Sequence, residues 1–490
     1  MGPRETISAA TILDRHFIGG RFVSSHGREV VDICNPANGT LIGRAALGDE
    51  IDAERAITAA NEAFPAWSRT TLCERKAWLQ RLADSLTERQ EDLKAITIAE
   101  YGAPVTFAEY IVDQARDFFV LVQDLLKPGT FETKRGHSTI QKLPMGVAGL
   151  MTPWNGSTWF VCEKAASALA AGCTVVMKPS ELSPLQSKVL MECFERAGLP
   201  PGVINLVNGR GETVGNTIAR SPNVRKISFT GSTRVGKMIN RDATETMKRV
   251  TLELGGKSPT IILDDADMGR AVAFALTVGL MNTGQSCTAG TRILVPESRL
   301  DEAKRALKDR VSKLKIGDPA ERDTIIQPMV SAAHYERVQG YIRQGIAEGA
   351  EVLIGGEGKP VGLENGNYVK PTVFVGVKND MTIAREEIFG PVLSVITYRD
   401  EEDSVAIAND SEYGLQAYVC GGDTERAHRV ANKLIAGRVT INEFVDDPTA
   451  PFGGFKLSGL GREFGFAGLD SYLEARVILS RGDVRPGGAP

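Results

Sequence analysis

The sequence is short of the patterns that mark metalloproteins and disulfide scaffolds. Its seven cysteines (Cys34, Cys73, Cys162, Cys173, Cys193, Cys287 and Cys420) are scattered and odd in number, with no C-x-x-C pair. Neither a disulfide framework nor a zinc site is indicated. The histidines His16, His26, His137, His334 and His428 lack ligand spacing too, so no metal is expected. Free thiols fit a reducing, cytoplasmic setting. A basic surplus is also missing: 57 Lys and Arg face 61 Asp and Glu, a formal charge of −4. That excludes the strongly basic stripe of a nucleic-acid binder. No run reaches the roughly 18 apolar residues of a membrane span. Residues 1–10 lack an apolar signal core, and Glu5 and Asp14 tell against a transit peptide. Gly2 with Thr6 fits a loose myristoylation pattern, which so few fixed positions leave to chance. Neither a nucleic-acid nor a membrane partner is expected, and no internal repeat is present.

What is there is a long chain of 490 residues, 42% hydrophobic and 24% charged, enough for several domains with a large core. From Met145 to Gly256 short β-type runs alternate with helical ones. Strands are expected at Gly146 to Met151, Thr174 to Met177, Val203 to Val207, Val224 to Phe229 and Val250 to Leu254. Helices are expected at Thr158 to Ala171 and from Pro184, where proline is tolerated in a first turn. Such spacing implies βαβ units and a parallel sheet covered on both faces, a doubly wound nucleotide-binding pattern. A second series begins near Ser258, with strands at Thr260 to Leu263, Arg292 to Val295, Tyr368 to Val377, Val392 to Tyr398 and Val439 to Asn442. Its helices are Met268 to Asn282 and Leu300 to Leu314. Thr130 to Leu143 reads as a hairpin and Ala475 to Leu479 as a strand. Both need a partner, because a lone hairpin is marginal in water. Another subunit is the preferred partner, and a small third sheet within the monomer is the alternative. The tail from Gly482 to Pro490 is expected to fray.

Candidate chemistry sits where these series meet. Gly284-Gln285-Ser286-Cys287 places a thiol after the apolar stretch Ala271 to Met281, and Glu253-Leu254-Gly255-Gly256-Lys257 supplies a carboxylate. A thiolate is a strong nucleophile towards carbonyl carbon, and its pKa can be lowered by local backbone dipoles. Asn155, in Pro153-Trp154-Asn155 at a strand end, can donate to a developing oxyanion without carrying charge. Phe229-Thr230-Gly231-Ser232-Thr233-Arg234-Val235-Gly236-Lys237 joins a strand to a helix, where backbone N–H groups suit a phosphate. Met238 stands where a P-loop needs its magnesium-binding hydroxyl, which rules out an NTPase. Lys178-Pro179-Ser180-Glu181 closes a strand at the edge where such sheets bind ligands. Glu387 precedes Phe389 in Glu386-Glu387-Ile388-Phe389-Gly390-Pro391. Pro451 to Glu463 is a glycine-rich loop, long enough to close over a site.

In their order, from about Phe17 to about Leu479, these segments resemble the NAD(P)-dependent aldehyde dehydrogenase superfamily. The resemblance implies an α/β fold with two doubly wound domains and a small oligomerisation β-extension. The Rossmann-like cofactor domain would comprise residues 1–125 and 145–256, the catalytic domain 257–465, and the oligomerisation hairpin and tail 126–144 and 466–485. Cys287 would attack an aldehyde, Asn155 and the Cys287 N–H would hold the oxyanion, and Glu253 would activate water to hydrolyse the thioester. Lys164 and Glu463 match positions proposed for proton relay. Trp154, Lys178, Glu181, Gly231, Ser232, Gly236, Leu254, Glu387 and Phe389 would hold NAD, with NADP less favoured because Glu181 faces the adenosine ribose. A homodimer or homotetramer is implied.

The chain departs from the family pattern near the substrate. Gly156-Ser157-Thr158 stands where many members have an aromatic and then Pro-Leu, and Glu163 where many have tryptophan. Trp154, Trp159, Phe160, Phe444 and Phe452 are expected to make an apolar tunnel for aliphatic, terpenoid or aryl aldehydes. An alternative places Glu163, Asp446 and Asp447 at its mouth to favour aminoaldehydes. Two further alternatives are a CoA-acylating enzyme, which usually lacks the glutamate at position 253, and a non-catalytic protein on the same fold.

Overall fold

A computed structural model describes residues 12–480. The Gly2 pattern, the tail from Gly482 and residues 481–485 of the expected oligomerisation segment lie outside these. The first large sheet has eight strands, in the order Gly459–Leu460, Arg249–Glu253, Val224–Thr230, Val147–Met151, Thr174–Lys178, Ile204–Leu206, Arg15–Ile18 and Arg21–Ser24. Its central strands run parallel. Val147–Met151 and Thr174–Lys178 are buried at every residue, as expected for strands covered on both faces. Helix Ser157–Ala171 is buried at every position except Trp159, so its small alanines let it lie close against the sheet. Gly172 ends it in the left-handed conformation (φ 95°). Helices Glu50–Trp67 and Leu72–Glu88 begin with capping boxes, Asp49 with Asp52 and Thr71 with Glu74.

The second sheet has seven strands, in the order Glu351–Ile354, Thr372–Val375, Val392–Tyr398, Arg292–Pro296, Pro259–Ile262, Gln416–Cys420 and Arg438–Ile441. All neighbours are parallel except Glu351–Ile354. Two connections tie the sheets together. Residues 254–258 pass directly from one to the other, and the late strand Gly459–Leu460 returns to pair with Leu252 and Glu253. The chain therefore revisits the first sheet well after position 257.

The hairpin Glu132–Arg135 and Ser138–Pro144 finds its partner within the chain. The tail strand Leu473–Leu479 pairs with it residue for residue in a three-stranded sheet. That is the alternative arrangement for these segments. No helix among the described residues is long and apolar enough to cross a membrane.

Arg292 locks the direct crossing. Fully buried, it donates to the carbonyls of Lys257 (3.0 Å), Ile407 (3.0 Å) and Ala408 (2.8 Å) and to Asn379 Oδ1 (3.1 Å). Arg292→Met removes the donors and leaves several buried acceptors orphaned. We expect a loss of about 3 kcal/mol or more and a Tm lower by at least about 5 °C in scanning fluorimetry.

Candidate active site

Helix Met268–Gly279 stops three residues before the expected Asn282. Asn282, Thr283 and Gly284 instead take left-handed backbone angles, with φ of 52°, 57° and 73°. A Cβ on Gly284 would lie 2.1 Å from the Gly390 carbonyl, so the turn requires glycine there. This strained turn reverses the chain and sets out Gln285-Ser286-Cys287. It is held from all sides. Gln285 donates to Pro328 O (3.2 Å) and accepts from Val330 N (3.1 Å), and Thr283 Oγ1 accepts from Gln327 N (2.9 Å). Asn155 Nδ2 donates to Gln285 O at 3.0 Å, which places its amide beside the Cys287 segment. Asn282 Nδ2 bridges both, donating to Gln285 O (2.9 Å) and Asn155 O (3.4 Å).

Glu253 ends its strand buried, with neither carboxylate oxygen hydrogen-bonded. Burial raises its pKa well above the usual range, and the charge of Glu463 adds to this. A Cβ on Gly453 (φ 149°) would come within 2.7 Å of Glu253 Oε1, so a bare backbone forms one wall around this carboxyl. Cys287 lines the cavity, yet its thiol is pushed up to about 12, first by burial and then by the charges of Glu387 and Glu253. The lowering that backbone dipoles can supply is therefore not realised. The N–H groups of Cys287 and Thr288 do act in that direction but are outweighed.

Lys164 and Glu463 meet behind Glu253. Lys164 Nζ donates to Glu463 Oε1 and, at 3.0 Å, to Ser228 Oγ, which itself donates to Glu463 at 2.6 Å. Glu163 belongs to this cluster and not to a tunnel mouth. It is buried, with Oε2 3.9 Å from Lys164 Nζ, and its pKa is raised by burial and by Glu463.

A cavity of about 240 Å³ leads to Cys287 and is lined by Trp159, Phe160, Phe444 and Phe452 together with Phe107, Tyr110, Phe464 and Arg438. Asp446 also lines it, whereas Asp447 is engaged with Thr449. Trp154 points elsewhere, packing against Tyr101, His334 and Phe389. Phe107, Tyr110, Phe464 and Arg438 were not singled out from sequence. Phe107 and Tyr110 come from a distant helix that no motif marks.

On the opposite side, several groups collect at the carboxyl ends of the first sheet's strands. Ser232 caps helix Thr233–Thr244, accepting from Val235 N at 3.4 Å. A Cβ on Gly236 would meet Leu254 at 2.5 Å, so glycine brings this helix close to the strand. Buried Lys178 donates to Pro179 O (3.0 Å) and faces Glu181 at 3.5 Å. Glu387 accepts from Gly256 N (3.1 Å), and burial raises its pKa to about 7. Gly231 precedes the Ser232 cap, and Phe389, at φ 64°, sets its ring 5.5 Å from Trp154. Thr152, Thr230 and Thr233 carry buried hydroxyls without partners along this edge. Unfilled hydroxyls, a helix N-terminus and two carboxylates suit a phosphate-linked ligand with sugar hydroxyls.

Comparisons with known proteins agree with this arrangement. The model of the aldehyde dehydrogenase family matches residues 22–478. A Staphylococcus haemolyticus protein provisionally described as an aldehyde dehydrogenase is 45% identical over 465 residues, 95% of this chain and 98% of that one. Among solved structures, a cysteine-to-alanine variant of Pseudomonas syringae aldehyde dehydrogenase C, complexed with NAD+ and octanal, is 41% identical. It covers 98% of this chain and 99% of its own, with a TM-score of 0.94. Betaine aldehyde dehydrogenase of Staphylococcus aureus, in complex with NAD+, is 39% identical over 97% and 95% of the two chains, with a TM-score of 0.93.

A thiol with its pKa at about 12 is protonated at pH 7. In the cofactor-free protein, iodoacetamide should therefore alkylate Cys287 slowly at pH 7, and the rate should still be rising at pH 10. A plateau below pH 9, followed by peptide mass spectrometry, would contradict this.

Proposed function

The chain belongs to the aldehyde dehydrogenase family, and we propose that it oxidises an apolar aldehyde to its carboxylic acid with NAD. The observation that carries this reading is the meeting of Cys287 and the Asn155 amide in an aromatic cavity, with an unpartnered Glu253 close enough for its charge to act on the thiol. The free hydroxyls, the Ser232-capped helix and Glu387 fit a dinucleotide. Lys178 and Glu181 would hold its adenosine ribose, Gly231, Ser232, Gly236 and Leu254 its diphosphate side, and Trp154, Glu387 and Phe389 its nicotinamide side. When bound, NAD supplies the hydride acceptor.

In this mechanism the Cys287 thiol gives up its proton through water to the Glu253 carboxylate, and its sulfur bonds the aldehyde carbon. Asn155 Nδ2 and the Cys287 N–H donate to the oxyanion of the resulting thiohemiacetal. Loss of hydride leaves a thioester on Cys287. Glu253 takes a proton from water, the hydroxide attacks the thioester, and the carboxylic acid leaves as the thiol is restored. Glu463, which accepts from Lys164 and Ser228, lies behind Glu253, where it can receive each proton that Glu253 gathers. Water and aldehyde thus yield an acid, one hydride to NAD and one proton. Retention of Glu253 speaks against CoA as the thioester acceptor. The burial of Glu163 away from the cavity removes one of the acids that would favour an aminoaldehyde.

Cys287→Ala should abolish NADH formation. Glu253→Gln should give a burst of NADH and then an acyl-enzyme, seen by intact mass; the absence of that adduct would count against Glu253. We also propose a homodimer or homotetramer, supported by Val477, Ile478 and Leu479, which lie exposed on the edge strand Leu473–Leu479. A monomer in light scattering would refute it.

Cofactor choice rests on Glu181. A 2′-phosphate would meet its carboxylate, a repulsion of about 4 kcal/mol at 4 Å and an effective dielectric of 20. Lys178, 3.5 Å away, offsets part of it. NAD should exceed NADP in kcat/KM by about tenfold or more, and Glu181→Ala should narrow the gap. Equal values in the unmodified enzyme would overturn the assignment.

A further inference from the structure

Arg438 begins the edge strand Arg438–Ile441 and extends its side chain into the wall of the aromatic cavity. Its guanidinium lies over two rings that stack on each other, 5.0 Å from the Phe452 centroid and 5.5 Å from that of Phe464. Nη1 pairs with Asp446 Oδ1 at 3.1 Å, and Asp446 Oδ2 accepts from the Tyr110 hydroxyl at 2.6 Å. The other donors reach Pro451 O (3.2 Å), Asp447 O (2.9 Å) and Ala450 O (2.9 Å). Aromatic faces with a carboxylate beside them are the surroundings that attract a cationic ligand. Here both are already taken by a cation of the chain itself. The other carboxylate lining the cavity, Glu463, is engaged by Lys164 and Ser228.

Building on the oxidation proposed above, we infer that Arg438 is a specificity-determining residue: it occupies the cation-binding corner of the tunnel and restricts the enzyme to uncharged aldehydes. A quaternary or primary ammonium entering the tunnel finds no open carboxylate, loses the two ring faces and meets a like charge. A neutral group of the same shape loses none of these. The distinction is electrostatic and not steric, so a pair of isosteres isolates it.

The test compares trimethylammonioacetaldehyde with 3,3-dimethylbutanal, which replaces N⁺ by carbon, by kcat/KM in NADH formation. The unmodified enzyme should favour the neutral aldehyde by about thirtyfold or more, which corresponds to about 2 kcal/mol at 1.4 kcal/mol per decade. Hydration of the free aldehydes belongs to the substrates and cancels when variants are compared. Arg438→Met opens the ring faces and frees Asp446, so the ratio should move towards the cation by about tenfold or more. Arg438→Lys keeps the charge and should retain most of the discrimination.

Loss of the donors to residues 447–451 can unfold the loop in Arg438→Met, so Asp446→Asn gives a second reading. Its uncompensated Arg438 should deepen rejection of the cation and raise kcat/KM for 4-carboxybenzaldehyde. Preference of the unmodified enzyme for the ammonium aldehyde, or a ratio unmoved by both Arg438→Met and Asp446→Asn, overturns the assignment. Absence of NADH from both aldehydes in the unmodified enzyme refutes the oxidation reading itself and this inference with it. Turnover with an unmoved ratio refutes only the role of Arg438.

Discussion

The site depends on two backbone approaches that only a missing side chain permits. A Cβ on Gly256 would stand 2.4 Å from the Cys287 carbonyl, and one on Gly255 would stand 2.4 Å from Glu387 Oε2. The segment after Glu253 can thus run against the cysteine loop on one side and the Glu387 loop on the other. Three chain regions far apart in sequence are brought into one small volume without any side chain between them. Close packing leaves no slack at such contacts, because interiors are as dense as organic crystals. The buried guanidinium of Arg292 fixes the same crossing from below, through the Lys257 carbonyl.

That compactness has an electrostatic consequence. Glu253 is fully buried and Glu387 and Cys287 are partly so, and desolvation is the first cause of each raised pKa. Each would-be anion also raises the others, as Glu387 and Glu253 do for the thiol. The resting site therefore holds its nucleophile neutral, a state that resists adventitious alkylation or oxidation. A bound cationic ring beside the sulfur would reverse the balance, so nucleophile activation and cofactor binding are two views of one interaction in the proposed mechanism.

Much of this was legible in the sequence because it rests on local signals. Buried strands read as continuous apolar runs, Pro184 marked a helix start, and the glycines beside Glu253 and Cys287 marked turns. The limits of the first parallel strands were placed within a residue or so. What escaped was set by long-range geometry. Helix Met268–Gly279 looked longer because its apolar pattern runs on through Leu280 and Met281, yet Asn282 and Thr283 sit at positive φ, a conformation that Asn tolerates and a β-branched Thr does not favour. Glu163 looked like a tunnel acid because it stands where many family members carry a tryptophan. Its position on helix Ser157–Ala171 instead buries it beside Lys164 and Glu463. The thiol's high pKa could not be read either, since desolvation is a property of the assembled interior.

The loop from Pro451 to Glu463 joins properties that sequence motifs treat separately. Phe452 lines the tunnel, Gly453 walls the Glu253 carboxyl, Gly459 pairs with Glu253 on the first sheet, and Glu463 holds Lys164. Arg438 anchors the approach to the loop through three of its carbonyls while touching the rings of Phe452 and Phe464. A change at Phe452 in the tunnel wall therefore acts on its chain neighbour Gly453, which walls the Glu253 carboxyl. Substitutions that widen the tunnel at Phe452 act on the same backbone that confines Glu253. In the proposed mechanism, substrate choice and thioester hydrolysis are therefore coupled, because one stretch of backbone positions groups for both.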